Sequence, residues 1–296
     1  MKKTIHSNNK LTIIAGPCSV DQNNLREVFK IGEIKVNGKK AIAGTRVVGL
    51  KSRTSLSVDG KNMGIDFDVF MRNTEKLIDG KHPATFDEPP SVTLAKQICK
   101  ETGMIIATEI MSPLVQLPSL EDIILKNKVL AWSPAVSQLG WPAMNMALFA
   151  KRNGWSVGIK NGKWKGMEKT WEGLASYVQA HIEPEKAIMI QRGIETPEKG
   201  KFRSLPVHES AQQMKEKGFQ VFFDPSHSFG PALRDEIVQG TIAAMKLKTS
   251  DGVHVYDGVL IEVGTSVTDT QQHITLPELQ DLCIRLSEFR DLVSPN

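Results

Sequence analysis

Short apolar runs recur along the chain, each followed by a polar turn and then by a longer amphipathic stretch. Eight of these runs predict strands, at 11–15, 41–48, 104–108, 129–132, 156–159, 187–190, 220–223 and 259–263. Between them lie helix-like patterns such as TLAKQICKETG (93–103) and HESAQQMKEKG (208–218). Both end in glycine, a common helix stop. Strands alternating with helices indicate a parallel sheet covered by helices. Eight such units predict an α/β fold closed into a (β/α)8 TIM barrel. The competing architecture is an open doubly wound sheet, which usually has fewer strands and a Gly-rich first turn. No GxGxxG follows the first strand, and no GxxxxGK[ST] occurs anywhere. The densest loop signals, DGKHPATFDEPP (79–90) and ETPEKGKFRSLP (195–206), read as loops within one domain. Residues 1–296 are therefore expected to form a single catalytic barrel domain.

Composition narrows the class. A chain of 296 residues, with 40% apolar and 24% charged residues, can bury one large core. There is no apolar run of transmembrane length, and the basic start MKKTIHSNNK is followed only by the short LTIIAG. A cytoplasmic protein with no membrane partner is expected. Cys18, Cys99 and Cys283 are odd in number and widely spaced, which is no disulfide framework. The net charge of +4 comes from basic residues spread among acids. Nucleic acid is not an expected partner, because that would bring a concentrated basic stripe.

In a (β/α)8 barrel the chemistry sits at the C-terminal ends of the strands. Seven of the eight predicted strand ends carry a charged or reactive residue, and two sets emerge. Cys18, His227, Glu262 and Asp269 offer one thiolate, one imidazole and two carboxylates. That donor set suits a divalent ion such as Mn, Fe, Co or Zn. Arg46, Lys51, Arg53, Lys160 and Arg192 form a cationic set that calls for ligands with several negative charges. Taken one at a time, each residue has a plainer reading. Cys18 is a small packing residue, His227 a loop residue, the Lys and Arg surface groups, and Asp224-Pro225 an ordinary turn. Co-location at one barrel mouth favours chemistry. The remaining histidines, His273 among them, read as having no role in it.

AGPCS, KxRT, TE, KNG, RG, DPSH and IEV occur in this order between about residues 11 and 276. The chain thereby resembles the synthases of 3-deoxy-D-arabino-heptulosonate 7-phosphate (DAHP), and the related synthases of 3-deoxy-D-manno-octulosonate 8-phosphate. The resemblance implies a transferase that joins phosphoenolpyruvate to a phosphorylated sugar aldehyde, in the first step of aromatic amino acid biosynthesis if the aldehyde is erythrose 4-phosphate. The octulosonate alternative uses arabinose 5-phosphate. It implies that Cys18, His227, Glu262 and Asp269 are metal ligands and that Arg46, Lys160 and Arg192 bind phosphoenolpyruvate, with Glu109 beside them. Lys51 would contact both substrates, and Arg53 and Thr54 would hold the acceptor's phosphate. A homodimer or homotetramer is expected by the same analogy.

The chain departs from the family in three places. Ser133-Pro134-Ala135 stands where the heptulosonate enzymes commonly have a Gly-Ala-Arg turn, and it is similar to the octulosonate enzymes, where the backbone at Ala135 would take part in phosphate binding. Gly264 follows Glu262-Val263 where many relatives have His. The stretch from Glu262 to Asp269 is short. The Lys51-Ser52-Arg53-Thr54 stretch lacks the Asn usual in the octulosonate group and reads closer to the heptulosonate pattern. The sequence starts almost directly at the first strand, so inhibition by aromatic amino acids through an added N-terminal element is not expected. Two other classes compete: a metal-dependent barrel hydrolase or aldolase that does not use phosphoenolpyruvate, and a catalytically inactive binding barrel.

Overall fold

The structure is a computed structural model and describes residues 9–51, 63–136, 138–265 and 271–295. Eight parallel strands form its centre: β1 (Lys10–Gly16), β2 (Gly44–Arg46), β3 (Ile105–Glu109), β4 (Val129–Ser133), β5 (Ser156–Lys160), β6 (Ala187–Gln191), β7 (Gln220–Phe223) and β8 (Gly258–Glu262). Each pairs with its neighbour in chain order, and β8 pairs with β1 in register from Thr12↔Gly258 to Gly16↔Glu262. The sheet is therefore closed, and the fold is the expected (β/α)8 barrel. Helices α1 (Leu25–Gly32), α2 (Phe67–Ile78), α3 (Pro90–Thr102), α4 (Pro113–Leu120), α5 (Gly140–Asn153), α6 (Glu168–Gln179), α7 (His208–Glu216), the one-turn α8 (Pro225–Phe229), α9 (Ile237–Met245) and α10 (Leu276–Ser287) lie between and after the strands.

The period of two along each strand sorts apolar residues into two cores. Ile14, Val48, Ala107, Leu130, Trp132, Ile188, Ile190, Phe222 and Leu260 face inward and pack on one another inside the barrel. Their neighbours in sequence, such as Ile13, Ile106, Ala131, Met189 and Ile261, face outward and pack with the helices. Trp132 fits inside because Gly158 faces it from β5: a Cβ on Gly158 would come within 2.7 Å of Ile190 Cδ1 and 3.0 Å of Trp132 Cβ.

One strand differs from its prediction. The run at 41–48 joins the ladder only over Gly44–Arg46. The backbone before it belongs to a small hairpin, Lys35–Val36 with Lys39–Lys40, whose turn residues Asn37 and Gly38 have φ of 51° and 78°. That is the Asn-Gly signature of a two-residue turn. The predicted glycine stops hold. Gly103 caps α3 in the left-handed region with φ of 76°, and Gly218 after α7 has φ of 92°.

Candidate active site

The inward alternation delivers charge to the barrel mouth two residues after each interior apolar or glycine position. Gly44 leads to Arg46, Ala107 to Glu109, Gly158 to Lys160, Ile190 to Arg192, Phe222 to Asp224 and Leu260 to Glu262. All six charged side chains are buried, as are Lys51 and His227. Charges this deep persist only when paired and hydrogen-bonded. Arg46 Nη2 lies 2.9 Å from Glu262 Oε1, and neither side chain has any exposure. Lys160 Nζ lies 3.3 Å from Asp224 Oδ2. Lys51 Nζ lies 2.7 Å from Cys18 Sγ. The cations are thus interleaved with acids, and they do not form the bare positive ring that their sequence positions alone suggest.

The pairing sets protonation states. Burial opposes the charge on Arg46, yet Glu262 and Cys18 hold its pKa above the ordinary value. Burial likewise opposes Lys51, and Cys18, Glu109 and Glu262 outweigh it. Lys160 and Arg192 are shifted down, chiefly by burial. Burial works against the Asp224 carboxylate, but His227 and Lys160 keep it well below the usual range. Glu262 is also held well below its ordinary value, against burial, by His227 and Arg46. Burial lowers His227 to about 4, so its imidazole is neutral near pH 7.

The DPSH turn explains where His227 points. Asp224 is the N-cap of α8, with Pro225 at the first helical position, an arrangement that favours a tight helix start. Asp224 Oδ1 accepts from His227 N at 3.2 Å and from the ring Nδ1–H at 3.0 Å. The neutral ring then presents its Nε2 lone pair 3.7 Å from Glu262 Oε1. Two lone pairs facing each other call for a cation between them, and a carboxylate on the far nitrogen is the usual orientation of a metal-binding histidine. His227 and Glu262 therefore fit an ion. Cys18, by contrast, is engaged with Lys51, Asp269 lies outside the described residues, and so do Arg53 and Thr54. Among the described residues no three His, Cys, Asp or Glu side chains form a group able to hold an ion. Ala135 sits half-buried in the turn leaving β4.

Several residues at the site went unread in the sequence. Gln272 is fully buried; its Nε2 donates to Glu262 Oε2, and its Oε1 accepts from Arg203 Nη1 at 2.6 Å. His273 Nε2 accepts from the Cys18 backbone N–H at 3.0 Å, which corrects the expectation that this histidine has no part in the site. Asn161 Oδ1 accepts from Arg192 N at 2.7 Å, and its Nδ2 donates to Gly193 O at 3.0 Å, tying the ends of β5 and β6 together. Gln138 donates to the Lys160 carbonyl at 3.1 Å from the stretch that lacks an arginine. Trp132 lies beneath Arg46 and Lys160. Only Trp132 follows from the alternation; the amides act through bonds that no spacing announces.

The sequence matches the profile of the DAHP synthetase I family over residues 2–293. The chain belongs to this family. It is a transferase of the DAHP synthase kind; the family's reaction joins phosphoenolpyruvate to erythrose 4-phosphate, and its members in general depend on a metal. A solved truncated form of 3-deoxy-D-arabino-heptulosonate 7-phosphate synthase from Thermotoga maritima shares the fold with a TM-score of 0.67. It has 18% identity, over 95% of this chain and 87% of that one. No curated protein matches the chain. No helix among the described residues is long and apolar enough to cross a membrane.

Proposed function

We propose that this DAHP synthase family member condenses phosphoenolpyruvate with erythrose 4-phosphate at the barrel mouth, with Arg46, Lys160 and Arg192 holding phosphoenolpyruvate. The observation that carries this reading is Arg46. Its guanidinium is fully buried, and its Nε and Nη1 have no partner among the described residues. Buried donors are almost always satisfied, so these two await an acceptor-rich ligand.

Arg46 would grip oxyanion oxygens through its free donors, and Lys160 and Arg192 would add charge around them. Holding two anions side by side is a large part of the task, since free in water they repel. C3 of phosphoenolpyruvate bonds to the aldehyde carbon, and the carbonyl electrons move onto its oxygen. Lys51 Nζ donates a proton to that oxygen. Glu109, set among the cations, takes a proton from the water that adds at C2. The bond from C2 to the phosphate oxygen then breaks, inorganic phosphate leaves with the bonding pair, and the C2 hydroxyl gives its proton to the departing phosphate as it becomes the ketone. Arg53 and Thr54 would hold the acceptor's phosphate, and the backbone at Ala135 would face that of phosphoenolpyruvate. Cys18, His227, Glu262 and Asp269 would hold a divalent ion of the Mn, Fe, Co or Zn type, which supplies Lewis-acid polarisation of the aldehyde.

The Lys160→Met variant tests the binding role. Its affinity for phosphoenolpyruvate in calorimetry is expected to fall about tenfold or more, the order of one lost charged contact; unchanged affinity would contradict the assignment. Assembly into a homodimer or homotetramer is supported by exposed apolar side chains about the start of α5, with Trp141 71% and Leu139 65% exposed. Sedimentation at micromolar concentration should give two or four chains, and a monomer would contradict it.

A further inference from the structure

Trp132 occupies an unusual place. It is fully buried on the inner face of β4, with its indole ring 5.6 Å from the Arg46 guanidinium and 5.2 Å from the Lys160 ammonium. One aromatic ring thus serves two cations. A ring quadrupole attracts positive charge without cancelling it, so the indole can space the two groups and still leave their charge for a ligand. The edge of the ring carries a second signal. Its Nε1 is buried and has no hydrogen-bond partner among the described residues. A buried indole N–H usually finds an acceptor. Arg46 Nε and Nη1 beside it are equally unmatched. Arginine and indole are both donors only. Asp224 Oδ2 nearby also lacks a hydrogen bond, but it is held by ion pairs with Lys160 Nζ at 3.3 Å and His227 Nδ1 at 2.9 Å. The three donors have no such partner among the described residues, and together they suit an oxyanion.

We propose that Trp132 belongs to the phosphoenolpyruvate site, its indole N–H donating to an oxyanion of the substrate while its ring fixes the spacing of Arg46 and Lys160. This rests on the reading that those two cations bind phosphoenolpyruvate. The carboxylate and the phosphoryl group share the required chemistry.

The direct test follows the indole N–H resonances of the tryptophan-labelled native enzyme as phosphoenolpyruvate is added. The Trp132 signal, assigned by its loss in Trp132→Phe, is expected to move downfield on binding. Pyruvate alone and inorganic phosphate alone are then titrated; whichever reproduces the shift identifies the end of the substrate that is held. In Trp132→Phe, which keeps a ring but loses the N–H, the KM for phosphoenolpyruvate should rise about tenfold. Its kcat and its KM for the aldehyde should change little. Trp132→Leu, which loses the ring too, should also lower kcat. If Trp132→Phe does not fold, assignment by selective labelling of the native enzyme leaves the titration decisive. Binding of phosphoenolpyruvate without movement of any indole signal overturns the proposal and leaves the Arg46 and Lys160 assignment standing. Failure of phosphoenolpyruvate to bind the native enzyme overturns both.

Discussion

Arg46 and Glu262 share a fully buried ion pair at 2.9 Å. Such a pair contributes little net stability when intact, yet breaking it strands the surviving charge. Arg46→Met should therefore lower unfolding stability by about 3–5 kcal/mol, read as a lower urea midpoint; an unchanged midpoint would mean that Glu262 finds another partner. His227 makes a pH-dependent prediction. The folded protein keeps it neutral down to about pH 4, whereas its ordinary pKa is 6.5. Between those values the unfolded chain binds more protons, so stability falls as pH drops through that window and is regained as pH rises. The effect is at most about 3 kcal/mol. In metal-free protein, His227→Gln should flatten this slope; an identical slope would place the titrating group elsewhere. Arg46, Lys160, Arg192 and Glu262 were legible in the sequence because each falls on the inward phase of its strand. Gln272 and His273 were not, since their roles depend on how a returning loop lays its amide and imidazole against Glu262 and Cys18.

That loop shows how an element serves the site. It leaves β8 at Gly264, whose φ is 84° and whose missing Cβ would stand 2.5 Å from Glu27 Oε2. Glu27 on α1 accepts from Thr265 N at 2.8 Å, and Asn24 Nδ2 donates to Thr265 O at 3.0 Å. Glycine here is a condition of seating Gly264 and Thr265 against α1, because a side chain at 264 would run into Glu27. Gly264→Ala should cost about 1–3 kcal/mol of strain and weaken metal retention by displacing Gln272 from Glu262; native thermal stability with full metal content would contradict this. The far side of the loop enters α10 through a capping box of Thr275 and Glu278. Thr275→Ala should cost about 1 kcal/mol in thermal unfolding without changing phosphoenolpyruvate affinity. A change in that affinity would show that the cap also sets the site. At this scale the strands and glycine-stopped helices could be read from periodicity. The shortening of β2 could not, because the hairpin before it sets where the ladder begins.

Across the whole molecule, barrel closure converts scattered strand ends into one mouth. Only the pairing of β8 with β1 brings Glu262 beside the end of β1, from which the chain runs on to Cys18, and lets Arg46 reach Glu262 across 216 residues of sequence. Closure was predictable from counting eight strand–helix units, and the register between β8 and β1 shows it. Closure also buries four basic side chains, Arg46, Lys51, Lys160 and Arg192, among three carboxylates, which suits anionic substrates and leaves no reason for such a site in a protein that binds neutral ligands. The measurement that tests this most directly is inorganic phosphate release from phosphoenolpyruvate in the presence of manganese. Release should require erythrose 4-phosphate and yield one phosphate per sugar product. Release with arabinose 5-phosphate instead would contradict the acceptor assignment. No release with either aldehyde, from folded and metal-loaded protein, would contradict the account as a whole.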